Sequence, residues 1–409
     1  MSPSGPVRIQ PVRGNLFEQN LEDNVEPIKD LHWSVEPVIK WMCFLGIPSP
    51  FDVSTCRFAN NFHHTLSFVV LLLIQSSLLI HTVYNAKTVS ASYLSGISTL
   101  TLSWNLICEN VNIAVYTVGC QISFLVFSRS DAWTDLISSF KRLDENLPSS
   151  EIYPTCRSLA IKIFFYVFFL ILSLETLLLL LVTSNDITWL RKILDVSGLL
   201  TKIYPATQLA LFCILTQIIS LQLGAIRKGI DDQLNQLNAA SPVIVEIQYR
   251  QLNILRRHHR LVCNSVRKIN CCFGTFLTFE IIYIFVSFIN CSLFILMSGI
   301  SDDVPLGVMN AMVCLDCVVH LFLLTSFSDD ITSQSDKVFE ALAEMHHQEP
   351  PLQYEVMLFI EQLSHMKSNI NAMGFFDVKK QLFPSLIGTT LTYFLILLQF
   401  QSAEKTGNK

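Results

Sequence analysis

The run Phe383-Pro-Ser-Leu-Ile-Gly-Thr-Thr-Leu-Thr-Tyr-Phe-Leu-Ile-Leu-Leu-Gln-Phe-Gln401 decides the fold, because it has membrane length and no charged side chain. From Ser385 to Gln401 a helix rises about 25 Å, close to the thickness of a hydrocarbon core. Its polar residues share one face: Ser385, Thr389, Thr392 and Gln399 line up, with Ile396 filling the last step. Leu391, Phe394, Leu395, Leu397 and Leu398 lie off that line. A lipid-facing helix gains nothing from a polar stripe, so this one should face protein or water. Spacing alone leaves two readings open, polar glue between helices and the lining of a pore.

The rest of the chain has the composition of a membrane protein. A mean hydropathy of +0.45, with 51% hydrophobic and 15% charged residues, excludes an ordinary soluble globule. The net charge of −5 offers no footprint for nucleic acid, and none is expected as a partner. The first sixty residues are polar and broken by Pro3, Pro6, Pro11, Pro27 and Pro37, so insertion is expected to start from an internal helix. The twelve cysteines lie mostly in apolar spans or on the basic side of the chain and read as small packing residues.

Seven hydrophobic spans stand out, at about 62–84, 97–127, 159–183, 203–226, 273–299, 306–327 and 383–401. The connections on one side of the membrane carry 22 of the 28 Lys and Arg residues. The positive-inside bias therefore predicts a cytosolic amino terminus and an extracellular carboxy terminus. The expected architecture is an all-α, multi-pass plasma-membrane protein with seven transmembrane helices and cytosolic helical extensions. Its parts are a cytosolic segment 1–61, a six-helix ligand-binding region 62–327 with an extension at 226–272, cytosolic anchor helices 328–381, a pore-lining helix 382–401 and an extracellular tail 402–409.

Two of the cytosolic segments carry heptad-like seams. Leu252, Leu255, His259, Val262, Val266, Ile269, Phe273 and Phe276 form one; Val356, Phe359, Leu363, Met366, Ile370 and Met373 form the other. They predict helices running into the fifth and seventh spans, with a shorter helix around 332–347 set off by Pro350-Pro351. Oligomer contacts and antiparallel packing within one subunit would give the same seams.

Thr392-Tyr393, five apolar residues and then Gln399-Phe400 resemble the carboxy-terminal signature of the insect gustatory receptor family. Gly374, eighteen residues before Thr392, is similar to that family's layout. The resemblance implies a ligand-gated, non-selective cation channel opened by a small-molecule tastant. It further implies a homotetramer around the last helix, or a heteromer with related subunits, seated in membrane lipid. Thr389, Thr392, Ile396, Gln399 and Phe400 become the candidate pore and gate residues, with the Gln-Phe pair as the constriction. Members that detect glucose-type sugars usually carry an acidic residue after the Thr-Tyr; Phe394 stands there instead, which points away from that subgroup.

Polar residues inside spans are costly and are functional suspects by default. Trp104, Asn105, Glu109, Glu175, Tyr204, Gln208, Asn290 and Asp316 compose an expected polar and aromatic layer, which suits a small-molecule pocket reached from outside. Mutual hydrogen bonding that fixes helix register is the competing reading. The His63-His64, His258-His259 and His346-His347 doublets point their rings about 100° apart on a helix and chelate poorly, so no metal is expected. The chain has no Gly-rich phosphate loop and no nucleophile elbow, so neither a cofactor nor an enzymatic activity is expected. A seven-helix G-protein-coupled chemoreceptor is the alternative, but it requires the opposite charge bias. A transporter with repeated halves fits an odd span count poorly.

Overall fold

The computed structural model describes residues 31–44, 51–52, 57–58, 107–108, 111–123, 131–146, 152–163, 189–237, 242–301, 304–345 and 350–407, with scattered helical positions at 66–80 and 165–169. The helices are α1 (Leu31–Phe44), α2 (Val111–Ser123), α3 (Asp131–Asn146), α4 (152–163), α5 (Trp189–Leu237), α6 (Pro242–Ser301), α7 (Val304–Glu344), α8 (Pro350–His365) and α9 (Leu382–Gly407). Two small antiparallel pairs complete the described elements: β1 (Phe51–Asp52) with β2 (Arg57–Phe58), and β3 (Asn371–Ala372) with β4 (Phe376–Asp377).

Among the described residues, three helices are long and apolar enough to cross a membrane: Pro205–Asn235 in α5, Ile247–Phe294 in α6 and Asn310–Glu344 in α7. Val111–Ser123 and Leu382–Ile396 are shorter apolar helices. The first and third expected spans lie largely outside the described residues. The most apolar stretch of α5 is 78% buried against 33% for α7, so α5 is the more enclosed of the two, while α7 packs along both α5 and α6. Pro205 lies inside α5 without ending it, as helices of this kind tolerate when neighbours satisfy the freed carbonyl. At Gly119 a Cβ would sit 2.7 Å from the Phe279 ring, so α2 approaches α6 as closely as a glycine permits.

The first seam is buried along its whole length, and α6 is one continuous helix of 60 residues. Its polar half is tied to α3 by a Ser139–Ser265 hydroxyl pair at 2.8 Å and by Lys268 Nζ donating to the Asp135 carbonyl at 2.7 Å. The expected helix at 332–347 is the last part of α7, because nothing between Phe327 and Thr332 breaks a helix.

The second seam departs from expectation in two ways. Its helix, α8, ends at His365 instead of running into the seventh span. The chain then passes through Lys367-Ser-Asn-Ile-Asn371, whose short polar side chains compete for backbone partners. Asn270 Nδ2 donates to the Asn369 carbonyl at 2.8 Å, and Asn270 Oδ1 accepts from the Asn371 amide at 3.1 Å. Met373, expected on the seam, instead lies in the β3–β4 turn with φ 51° and an exposed side chain.

The seams also pack on each other within one subunit, and they run parallel. Arg256 pairs with Glu355 at 3.0 Å, His259 meets Phe359 and Gln362, Cys263 meets Ser368, and Asn270 meets Asn371. Residue numbers rise together on both sides because each segment heads toward the span that follows it. That arrangement is neither the antiparallel pairing nor the contact between copies that the seams alone suggested.

Gly374 follows Met373 in the turn at φ 78°, and its amide donates to Asn371 Oδ1 at 2.9 Å. That backbone conformation costs an L side chain roughly 1–2 kcal/mol, more for a β-branched one. Gly374→Val is expected to lower the thermal midpoint of the purified protein, whereas Gly374→Asn, which tolerates the conformation, should cost much less.

Candidate functional site

Four polar side chains meet where α2, α6 and α7 come together. Glu280, inside the run Thr278-Phe-Glu-Ile-Ile282, is fully buried. Its Oε2 accepts the Tyr116 hydroxyl at 2.5 Å, and its Oε1 lies 2.7 Å from His320 Nδ1. His320 Nε2 in turn faces Asp316 Oδ1 at 3.6 Å, from one turn earlier on α7. The Tyr116 ring stacks on Tyr283 with centroids 4.1 Å apart. Asn112 Nδ2 extends the set, donating to Ser287 Oγ at 3.1 Å and to the Tyr283 carbonyl at 3.3 Å. A buried charge is tolerable only when paired and hydrogen-bonded, and Glu280 is both.

Of the expected pocket residues, Gln208 and Asn290 are buried, and Asp316 is partly covered. Gln208 Nε2 donates to the Cys120 carbonyl at 3.0 Å, next to the Tyr116 turn of α2. Asn290 lies ten residues, or about 15 Å, along α6 from Glu280, so it belongs to a different level from the Glu280 cluster. Tyr204 is on α5, with its side chain outside the described set. Trp104, Asn105, Glu109 and Glu175 lie outside the described residues. Sequence reasoning passes over Tyr116, Glu280 and His320. A lone carboxylate in an apolar run, and an Asp-His pair at i, i+4, are the signals that find them.

The seventh-span helix, α9, buries one narrow face and leaves a wide one open. Leu386 and Thr390 are buried and Phe394 is half-buried against α6 and α7; the Tyr393 ring meets Phe285 edge-on at 6.1 Å. Ser385, Gly388, Thr389, Thr392, Ile396 and Gln399 are exposed, and so are Leu391, Tyr393 and Leu395 beside them. The Thr389 hydroxyl donates to the Ser385 carbonyl and the Thr392 hydroxyl to the Gly388 carbonyl, each at 2.9 Å. Such back-bonding commits the hydroxyl protons to the helix and leaves oxygen lone pairs outward. Phe400 is helical, and its side chain is outside the described set.

The His258-His259 doublet is buried, although it lies on the polar half of α6. Its rings diverge as expected: His258 Nε2 pairs with Gln222 Oε1 on α5 and His259 Nδ1 with Gln362 Nε2 on α8, both at 3.0 Å. Burial pushes both imidazoles down to about 4. Unfolded histidines take up protons as pH falls through about 6.5, whereas these do not until about 4, so their contribution is present above 6.5 and lost across that window. The expected loss at pH 5 is about 2 kcal/mol per ring. Thermal unfolding at pH 7 and pH 5 should show it, and His258→Gln should flatten the dependence.

A fold of long apolar helices, with a buried ionisable cluster between them, is that of a multi-pass helical membrane protein. The chain belongs to the 7tm chemosensory receptor family, whose model matches residues 37–404. Over 137 residues it is 34% identical to gustatory and odorant receptor 24 of Anopheles gambiae, a stretch covering 32% of this chain and 29% of that relative. The fold is similar to the insect olfactory receptor OR5 from Machilis hrabei in complex with eugenol, with TM-score 0.60 at 14% identity over 90% of this chain and 98% of that one. A second structure of the same Machilis hrabei receptor gives TM-score 0.60 at 13% identity over 90% of this chain and 98% of that one.

Proposed function

We propose that the chain is a gustatory receptor subunit acting as a ligand-gated, non-selective cation channel of the plasma membrane. Four copies, or copies mixed with related subunits, surround a path lined by α9. The observation that carries this reading is the asymmetry of α9. One side packs on its own subunit, while the wide side bearing Ser385, Thr389, Thr392, Ile396 and Gln399, with Leu391 and Leu395 next to them, is left uncovered. Outward lone pairs on Thr389 and Thr392 favour cations, and a path without a carboxylate ring discriminates poorly among them.

The amino terminus is cytosolic and the carboxy terminus extracellular, which places Gln399 and Phe400 at the outer mouth as the gate. The ligand, a small tastant, enters the transmembrane region from outside. Trp104, Asn105, Glu109, Glu175, Tyr204, Gln208, Asn290 and Asp316 are the proposed lining, and the eugenol complex of the Machilis receptor supports a small organic molecule. The experiment is whole-cell recording of the expressed receptor with a tastant panel, combined with epitope tags on both termini. Ligand-evoked, weakly selective cation currents independent of G proteins are expected, with only the carboxy-terminal tag reachable from outside. An extracellular amino terminus with G-protein-dependent responses overturns the reading.

A further inference from the structure

Resting on the reading of this chain as a small-molecule receptor, we infer that Asp316 and His320 form a subsite that recognises a ligand hydroxyl group. The Glu280 cluster is ordered from satisfied to unsatisfied. At its inner end the Glu280 side chain is 0% exposed and both its oxygens have partners. Exposure then rises to 7% at His320 and 14% at Asp316. There the pairing stops: His320 Nε2 and Asp316 Oδ1 are buried atoms without a hydrogen-bond partner. Their separation of 3.6 Å is too long for a direct bond, yet it lets one oxygen sit within bonding distance of both.

The chemistry narrows the occupant. With a carboxylate before each ring nitrogen, His320 is read as an imidazolium that gives Nδ1–H to Glu280 and keeps Nε2–H, so a hydroxyl donates to the Asp316 carboxylate and accepts from Nε2–H through a single atom. An ammonium only donates and meets Nε2–H as a second donor; a carboxylate only accepts and meets Asp316 as a second acceptor. An ether accepts but leaves Asp316 unanswered. The ring is held ready, because its Nδ1 is committed to Glu280, which Tyr116 grips from α2. Preorganised donors and acceptors of this kind reject analogues lacking the group, since rejection leaves buried polar atoms unpaired. Phenols and polyols both carry the recognised group.

The test uses the purified full-length receptor in lipid nanodiscs, with binding measured by calorimetric titration. Eugenol supplies a phenol, methyl eugenol its ether counterpart, and fructose a polyol. Binding of eugenol or fructose is expected, with methyl eugenol at least tenfold weaker than eugenol if the phenol arm binds. Asp316→Leu, which leaves the Glu280 pairs intact, should weaken the bound hydroxyl probe by at least tenfold and abolish any preference over the ether. His320→Gln, which keeps a donor near the same place, should retain part of it, and His320→Leu none. Where His320→Leu fails to fold, Asp316→Leu decides. Binding of neither hydroxyl probe, equal binding of eugenol and methyl eugenol, or unchanged binding in Asp316→Leu overturns the subsite. Because binding is read without ion flux, hydroxyl-selective binding by a receptor that conducts nothing counts against the channel alone.

Discussion

Glu280→Ala is expected to destabilise the receptor by about 3–5 kcal/mol, the range for removing one partner of a buried charge pair. The substitution strips the Tyr116 hydroxyl and His320 Nδ1 of their shared acceptor in a fully buried place where water cannot replace it. A large drop in thermal midpoint, with reduced surface expression, should follow. Much of the loss belongs to the partners left behind, so removing them too should restore stability. Tyr116→Phe with Glu280→Leu and His320→Leu is expected to melt well above Glu280→Ala alone. Size-exclusion thermostability of the solubilised protein reads both. An unchanged midpoint in Glu280→Ala would mean that the cluster does not hold α2, α6 and α7 together.

Phe400→Ala is expected to leak cations without ligand. Gln399 continues the polar stripe of α9, and Phe400 follows Ile396 by four residues, so a bulky apolar ring can reach the axis beside an amide. In the proposed tetramer four such rings would make a barrier that excludes ions by dewetting, and opening would exchange Phe400 for Gln399 at the constriction. Truncation to alanine widens that ring by several ångströms and removes the dry section, so standing current should appear in unstimulated cells. Gln399 substitutions should alter permeation more than ligand affinity. A Phe400→Ala receptor that reaches the surface in normal amounts and stays silent until ligand arrives would contradict the gate assignment.

The helices were legible wherever one periodicity dominated. Leu252 through Phe276 alternate at three and four, and every member is buried in α6. The same arithmetic carried the second seam too far: Met366, Ile370 and Met373 keep the spacing, but Lys367-Ser-Asn-Ile-Asn371 breaks the helix and Gly374 turns it back. Periodicity counts apolar positions and is blind to side chains that compete for the backbone. The polar stripe of α9 was readable as a face, and it lies on the wide uncovered side of the helix together with Leu391 and Leu395.

The Glu280 cluster was only half readable. Asp316 announced itself as a carboxylate in a span, yet its neighbour His320 and its link to Glu280 depend on how α6 and α7 are rotated and staggered against each other. No count along one helix contains that information. The histidine doublet shows the same limit. Adjacent rings must diverge, which spacing predicts, but their burial follows from α5 and α8 closing over α6.

Single-particle imaging of the purified full-length receptor in nanodiscs tests the central claim most directly. The account predicts a fourfold assembly in which Ser385, Thr389, Thr392 and Gln399 of each α9 face a common axis, with Leu386 and Thr390 turned to their own subunit. A monomer, or an assembly whose α9 stripe faces lipid or lies sealed against a neighbouring helix with no axial path, would contradict it.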